Sequence, residues 1–125
     1  MFKIANNEIQ ITRGDKGNIP VKIPINEEET EFYQFKIGDK IKIGVYKKGK
    51  LNENAVILKE FEVSEPTDTF LIPLTSEDTK IGELINKETE YWYEIILNDS
   101  ETILGYEKDK NPKLFWLLPE GSDKK

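Results

Sequence analysis

Arg13-Gly14-Asp15 is the first place in this sequence where residue types and spacing could do specific chemistry. Arg13 is the single arginine among 18 basic side chains, all the others being lysine. A guanidinium offers a planar fork of donors that an ammonium cannot mimic, so a solitary one points to a defined partner rather than to bulk charge. The same three residues spell an integrin-binding tripeptide, which would require an exposed loop on an exported protein, and Met1 to Asp15 lack the apolar stretch of a signal peptide. The expectation is therefore structural. Gly14 takes a turn conformation that other residues resist, and Arg13 pairs with a carboxylate, Asp15, Asp39 or Asp78, aspartates that recur at matching turn positions.

The abundant acids raise two further chemistries. Glycoside hydrolysis needs two carboxyls fixed at a set separation across a cleft, and none of the many pairs here is singled out. Calcium needs several oxygens in one loop, and neither Asn98-Asp99-Ser100-Glu101 nor Ser76-Glu77-Asp78-Thr79 has the spacing of a recognised calcium loop. With no cysteine and no histidine, disulfides, thiolate nucleophiles, Cys/His zinc sites and histidine bases are all excluded. The expectation is a protein that is not an enzyme, with no catalytic residues, no metal and no cofactor.

Aromatic residues give a different lead. In the stretch from Glu90 to Leu97, alternation sends Tyr91, Tyr93, Ile95 and Leu97 to one face and Trp92, Glu94 and Ile96 to the other. An outward Trp-Ile pair needs cover, either from a loop or the final strand, with Trp116 nearby, or from something outside the chain. Trp92, Ile96 and Trp116 are thus candidates for a subunit contact, since aromatic anchors dominate interface hot spots, or for a glycan contact through the indole faces.

The elements that position these residues are strands. Short β-branched and aromatic runs alternate with period two, separated by Gly, Pro, Asn and Asp about every ten residues. Ile9 and Ile11 share a face, as do Ile19, Val21, Ile23 and Ile25, while Pro20 and Pro24 place that strand at a sheet edge or break it. After an acidic loop at 27–31 and a short extended piece from Tyr33 to Ile37, strands follow around Ile41-Ile43-Val45, Ile57-Lys59-Phe61-Val63 and Phe70-Ile72-Leu74. Thr75-Ser76-Glu77-Asp78 ahead of Ile81, Leu84 and Ile85 changes the period to about 3.6 and predicts one short helix with Thr75 or Ser76 as its cap. Thr102 to Glu107 and Pro112 to Leu118 complete the set. The prediction is an all-β, immunoglobulin-like antiparallel sandwich of seven to eight strands with one short helix, forming a single domain over 1–119 with a polar tail at 120–125.

Composition narrows the partners. A chain of 125 residues is the usual size of one domain and can bury roughly two-thirds of its unfolded surface. A net charge of −6, from 24 acidic and 18 basic residues, repels phosphate backbones and anionic lipid. Neither nucleic acid nor membrane is an expected partner, and no run approaches the roughly 20 apolar residues of a membrane span.

Four motifs in order carry a resemblance: Ile11-x-Arg13-Gly14-Asp15; Ile37-Gly38-Asp39-x-Ile41-x-Ile43-x-Val45-x-Lys47; Ile72-x-Leu74-Thr75-x-x-Asp78-Thr79; and Tyr91-x-Tyr93-Glu94-Ile95-x-Leu97. Over Glu8 to Leu118 this order resembles the small immunoglobulin-like domains of phage and prophage tail proteins, in particular the N-terminal domain of the baseplate upper protein. The resemblance implies a virion structural module that docks to neighbouring tail or baseplate subunits or associates with itself, found in the bacterial cytoplasm during assembly or in the phage particle. A carbohydrate-binding module using the exposed aromatics is the alternative.

Overall fold

A computed structural model describes residues 2–5, 8–48, 54–81, 88–98, 101–104 and 113–119. Among these the chain is all-β, with nine strands: β1 (Phe2–Ala5), β2 (Glu8–Thr12), β3 (Gly17–Val21), β4 (Lys40–Lys47), β5 (Ile57–Glu62), β6 (Phe70–Leu74), β7 (Thr89–Leu97), β8 (Glu101–Leu104) and β9 (Lys113–Leu118). A large sheet runs β1-β2-β9-β7-β4-β5, with β8 also paired to β7, and a small sheet pairs β3 with β6.

Alternation decides which side of each strand is buried. Ile9 and Ile11, Ile41, Ile43 and Val45, Tyr93, Ile95 and Leu97, and Phe115 and Leu117 turn one face of the large sheet inward. Ile19, Val21, Ile72 and Leu74 turn inward from the small sheet, and all join one buried cluster with Phe35. This is a sandwich-like arrangement in which two sheets share one apolar interior. Each fully buried isoleucine or leucine contributes about 1.5–3 kcal/mol. Phe35, from the connection between β3 and β4, plugs the interior, edge-on to Tyr33 at 5.3 Å and tilted against Phe70 at 6.3 Å.

β7 organises the large sheet. One side pairs with β4 over seven positions, from Tyr91 to Leu97. The other side is divided, its first half taking β9 and its second half β8, with a register shift at Ile95/Ile96.

Several expectations need correction. The large sheet is mixed rather than antiparallel, because β2 runs parallel to β9, Ile9 opposite Phe115 and Ile11 opposite Leu117. Nine strands replace seven or eight: β1, whose four residues are too short to show a period, folds back antiparallel on β2. The short extended piece from Tyr33 to Ile37 pairs only through an isolated bridge at Phe35. The proline-bearing strand both lies at an edge and breaks. It ends at Val21, and Ile25 is 62% exposed rather than buried.

No helix occurs among the described residues, and 76–79 form a turn. The cap itself is real: the Thr75 N–H donates to Asp78 Oδ2 at 2.8 Å and the Asp78 N–H donates back to Thr75 Oγ1 at 3.1 Å, a reciprocal capping box. The remainder of the predicted helix, at 82–87, lies outside the described residues, as does the tail at 120–125. Among the described residues no helix is long and apolar enough to cross a membrane.

Candidate functional site

The Gly-Asp turns come first. Thr12 C=O accepts from the Asp15 N–H at 2.9 Å and Gly14 has φ +88°, the geometry of a type II turn with glycine at its third position. The turn is clamped by Thr79, which is fully buried. Its hydroxyl accepts from the Gly14 N–H at 2.9 Å and lies 2.7 Å from the Asp15 carbonyl, to which it donates. Arg13 anchors the same corner, its N–H donating to Leu118 C=O at 2.9 Å and its Nε to Ile81 C=O at 3.2 Å. Arg-Gly-Asp is thus a corner joining the ends of β2 and β9 to the segment after β6.

Asp39 and Asp78, two of the aspartates expected to hold Arg13, are engaged elsewhere. Asp39 Oδ2 accepts from Tyr33 OH at 2.7 Å and from the Lys36 N–H at 2.9 Å, and Oδ1 accepts from Asn98 Nδ2 at 3.2 Å. The Lys36 amide, with Tyr33 and Asn98 behind it, holds the Asp39 carboxyl below its ordinary value despite some desolvation. Asp78 faces Lys59 Nζ at 3.3 Å. Burial works to raise the Asp78 pKa, but bonds from Thr75 and the nearby Lys59 outweigh it and leave the pKa lowered. Both aspartates therefore hold turns in place.

The face of the large sheet turned away from the interior is different in character. β7 presents Glu90, Trp92, Glu94 and Ile96 there, β4 presents Lys42, Gly44 and Tyr46, β9 presents Leu114, Trp116 and Leu118, and β2 presents Glu8 and Gln10. Register places Trp92 between Tyr46 and Leu114, and Trp116 between Glu90 and Gln10. The two indoles are thus diagonal neighbours on paired strands, about 7–8 Å apart at the backbone. Trp116 does not pack over Trp92 as a lid; it stands beside it on the same surface. Ile96 shares that face, opposite Lys42 and Thr102.

Each indole is fixed by a carboxylate. Trp92 Nε1 donates to Glu90 Oε2 at 2.8 Å, and Trp116 Nε1 donates to Glu8 Oε1 at 3.1 Å. With their N–H groups held, the rings present faces rather than donors. Tyr46 folds back along its own strand over Gly44, where a Cβ would lie 2.5 Å from the tyrosine oxygen, and its hydroxyl donates to Glu94 Oε1 at 3.2 Å. Desolvation, reinforced by Glu94, raises the Tyr46 pKa.

Sequence reasoning found both tryptophans and the outward side of Trp92 but not that Trp116 shares it, and it missed Glu8, Glu90 and Tyr46. The signal for Glu90 was its position two residues before Trp92, one strand repeat away on the same face. Gly44, inside a run of β-branched residues, was the signal that a ring approaches the backbone. Glu8 came from a strand pairing that no local pattern encodes. Among the described residues no group of three or more carboxylates could hold a metal ion. In comparisons with known proteins, no family model, no curated protein and no solved structure matches this chain.

Proposed function

We propose that this protein is a non-enzymatic docking module, an immunoglobulin-like domain of the kind used in phage and prophage tails, that engages a neighbouring subunit through the outer face of its large sheet. The carrying observation is the pair of carboxylate-anchored tryptophans on that face, since rigid aromatic anchors are what interface hot spots are made of. The strand order supports the immunoglobulin-like part. β9-β7-β4-β5 opposite β3-β6 is the order of strands G-F-C-C′ opposite B and E in a variable-type domain.

A face is favoured over the edges of the small sheet and of β5, which are blunted. Pro20 on β3 and Pro73 on β6 withhold backbone donors from the small sheet, and Lys59 points inward from the middle of the edge strand β5. Prolines and inward charges are standard devices against strand addition.

The test is co-expression with the proteins encoded beside it, followed by chromatography with light scattering. A complex lost in Trp116→Ala, with unchanged circular dichroism, is the expected result. A complex indifferent to face substitutions would overturn the proposal. A second reading, saccharide binding, draws on the fixed indole faces. Tryptophan fluorescence that responds to oligosaccharides would favour it.

A further inference from the structure

Resting on that docking reading, we infer that the partner presents a cationic side chain, an arginine or lysine, to the outer face between Trp92, Trp116 and the carboxylate of Glu90. Three observations lead there.

The first is charge. The centre of the face carries Glu8, Glu90 and Glu94 around the two indoles and Tyr46. A second copy applied about a twofold axis would set these acids against their own equivalents, and two chains of charge −6 repel at longer range. Charge complementarity selects a different and basic partner.

The second is the state of the rings. Both indole N–H groups are engaged by carboxylates, so recognition falls to the ring faces, and a cation over an indole face beside a carboxylate is attracted by both.

The third is that the chain already brings a cation to this place, loosely. Lys48 Nζ lies 3.8 Å from Glu90 Oε1 while its side chain remains 68% exposed. Glu90 is the half-buried member of the pair, bonded to Trp92 through its other oxygen. Lys48 competes for the Glu90 oxygen that a partner's cation would take, and its hold is weak enough to be displaced.

The chain has two tryptophans, so two indole N–H signals in a proton–nitrogen NMR spectrum report directly on the site. The probe is a short synthetic peptide with two arginines separated by glycine, with citrulline replacing arginine in its control. The arginine peptide is expected to shift both indole signals and the citrulline peptide neither. The shift weakens from 50 to 500 mM salt and is lost in Glu90→Gln, which keeps the acceptor for Trp92 but removes the charge.

Lys48→Ala gives the sharper result. Removing the internal competitor should tighten peptide binding about two- to fivefold, the range that an exposed ion pair converts to. Unchanged or weaker binding in Lys48→Ala, or equal shifts from the citrulline peptide, would overturn the inference. If the co-expressed complex forms and depends on Trp116 while the arginine peptide does nothing, the docking face stands and the cation is wrong. Indole shifts produced by oligosaccharides but not by the peptide would overturn both in favour of saccharide binding.

Discussion

Arg13-Gly14-Asp15 and Ile37-Gly38-Asp39 are built to one plan and used in two ways. In each, the residue before the tripeptide accepts from the aspartate N–H, at 2.9 and 3.0 Å, and glycine sits at φ +88° and +94°. The first turn is held through its main chain, Thr79 bonding the Gly14 amide and the Asp15 carbonyl. In the second the same two main-chain groups are bonded by backbone instead, the Gly38 N–H donating to Val63 C=O at 2.9 Å and the Asp39 C=O accepting from the Val63 N–H at 2.8 Å, and the carboxylate of Asp39 adds bonds from Tyr33, Lys36 and Asn98. Asn98, itself at φ +53°, carries the bond onward by accepting from the Lys40 N–H at 2.8 Å. A Gly-Asp signature thus specifies a backbone path, and the surroundings decide whether a side chain or a neighbouring backbone clamps it and whether the carboxylate joins in.

The largest test of that contrast is Thr79→Val, which keeps the shape of a fully buried side chain and removes its hydroxyl. It takes one bond from the Gly14 amide and one from the Asp15 carbonyl and should cost about 2–3 kcal/mol in urea unfolding. A loss below about 1 kcal/mol would show that the main-chain clamp is unimportant. Next come the glycines. Gly38→Ala should cost about 1–2 kcal/mol for its left-handed backbone alone, there being nothing within 4 Å of the added Cβ. Gly14→Ala carries the same strain and meets only the flexible end of the Lys80 side chain at 3.4 Å, an ordinary contact, so the two should cost about the same. A clear difference between them would break the comparison.

Asp39→Asn tests the carboxylate side. The folded pKa of Asp39 is depressed below its ordinary 3.8, so its stabilisation is present above about pH 4 and lost as pH falls through the depressed value. The variant should melt below the wild type at neutral pH, by under about 1 kcal/mol for a largely solvated group, and the two curves should converge toward pH 2. A constant gap across that range would mean that charge plays no part. The smallest effect is expected from Arg13→Lys, which forfeits the Nε bond to Ile81 for about 0.5–1 kcal/mol. An unchanged melting temperature would remove the guanidinium from the account of this corner.

What could be read from the sequence was whatever repeats locally. Alternation in Glu90 to Leu97 put Tyr93, Ile95 and Leu97 inside and Trp92 outside, and Ile41, Ile43 and Val45 were equally plain. The inward face of β5 was visible down to Lys59, although a lysine among apolar residues gave no sign of its partner Asp78, 19 residues on. Features that depend on distant pairing were hidden. The parallel contact of β2 with β9, the Glu8–Trp116 bond and the clamp at Thr79 each join segments far apart in the chain, and no local period records them. Thr75 or Ser76 was read as the cap of a short helix, and Thr75 does form a capping box with Asp78. Among the described residues, however, it closes only a turn, because a cap organises one turn whether or not a helix follows.

The parallel pairing of β2 with β9 also sets an order of events during synthesis. Ile9 and Ile11 leave the ribosome long before their partners Phe115 and Leu117, which follow only after nearly all of the described residues between them. Until then the sheet can assemble β7 on β4 and β5 but cannot close against β2, so the β1-β2 hairpin waits with its apolar side unsatisfied. Contacts of such separation make folding slow, on the millisecond-to-second scale typical of all-β domains. The nascent protein therefore passes through a stage when a chaperone has an obvious apolar segment to hold.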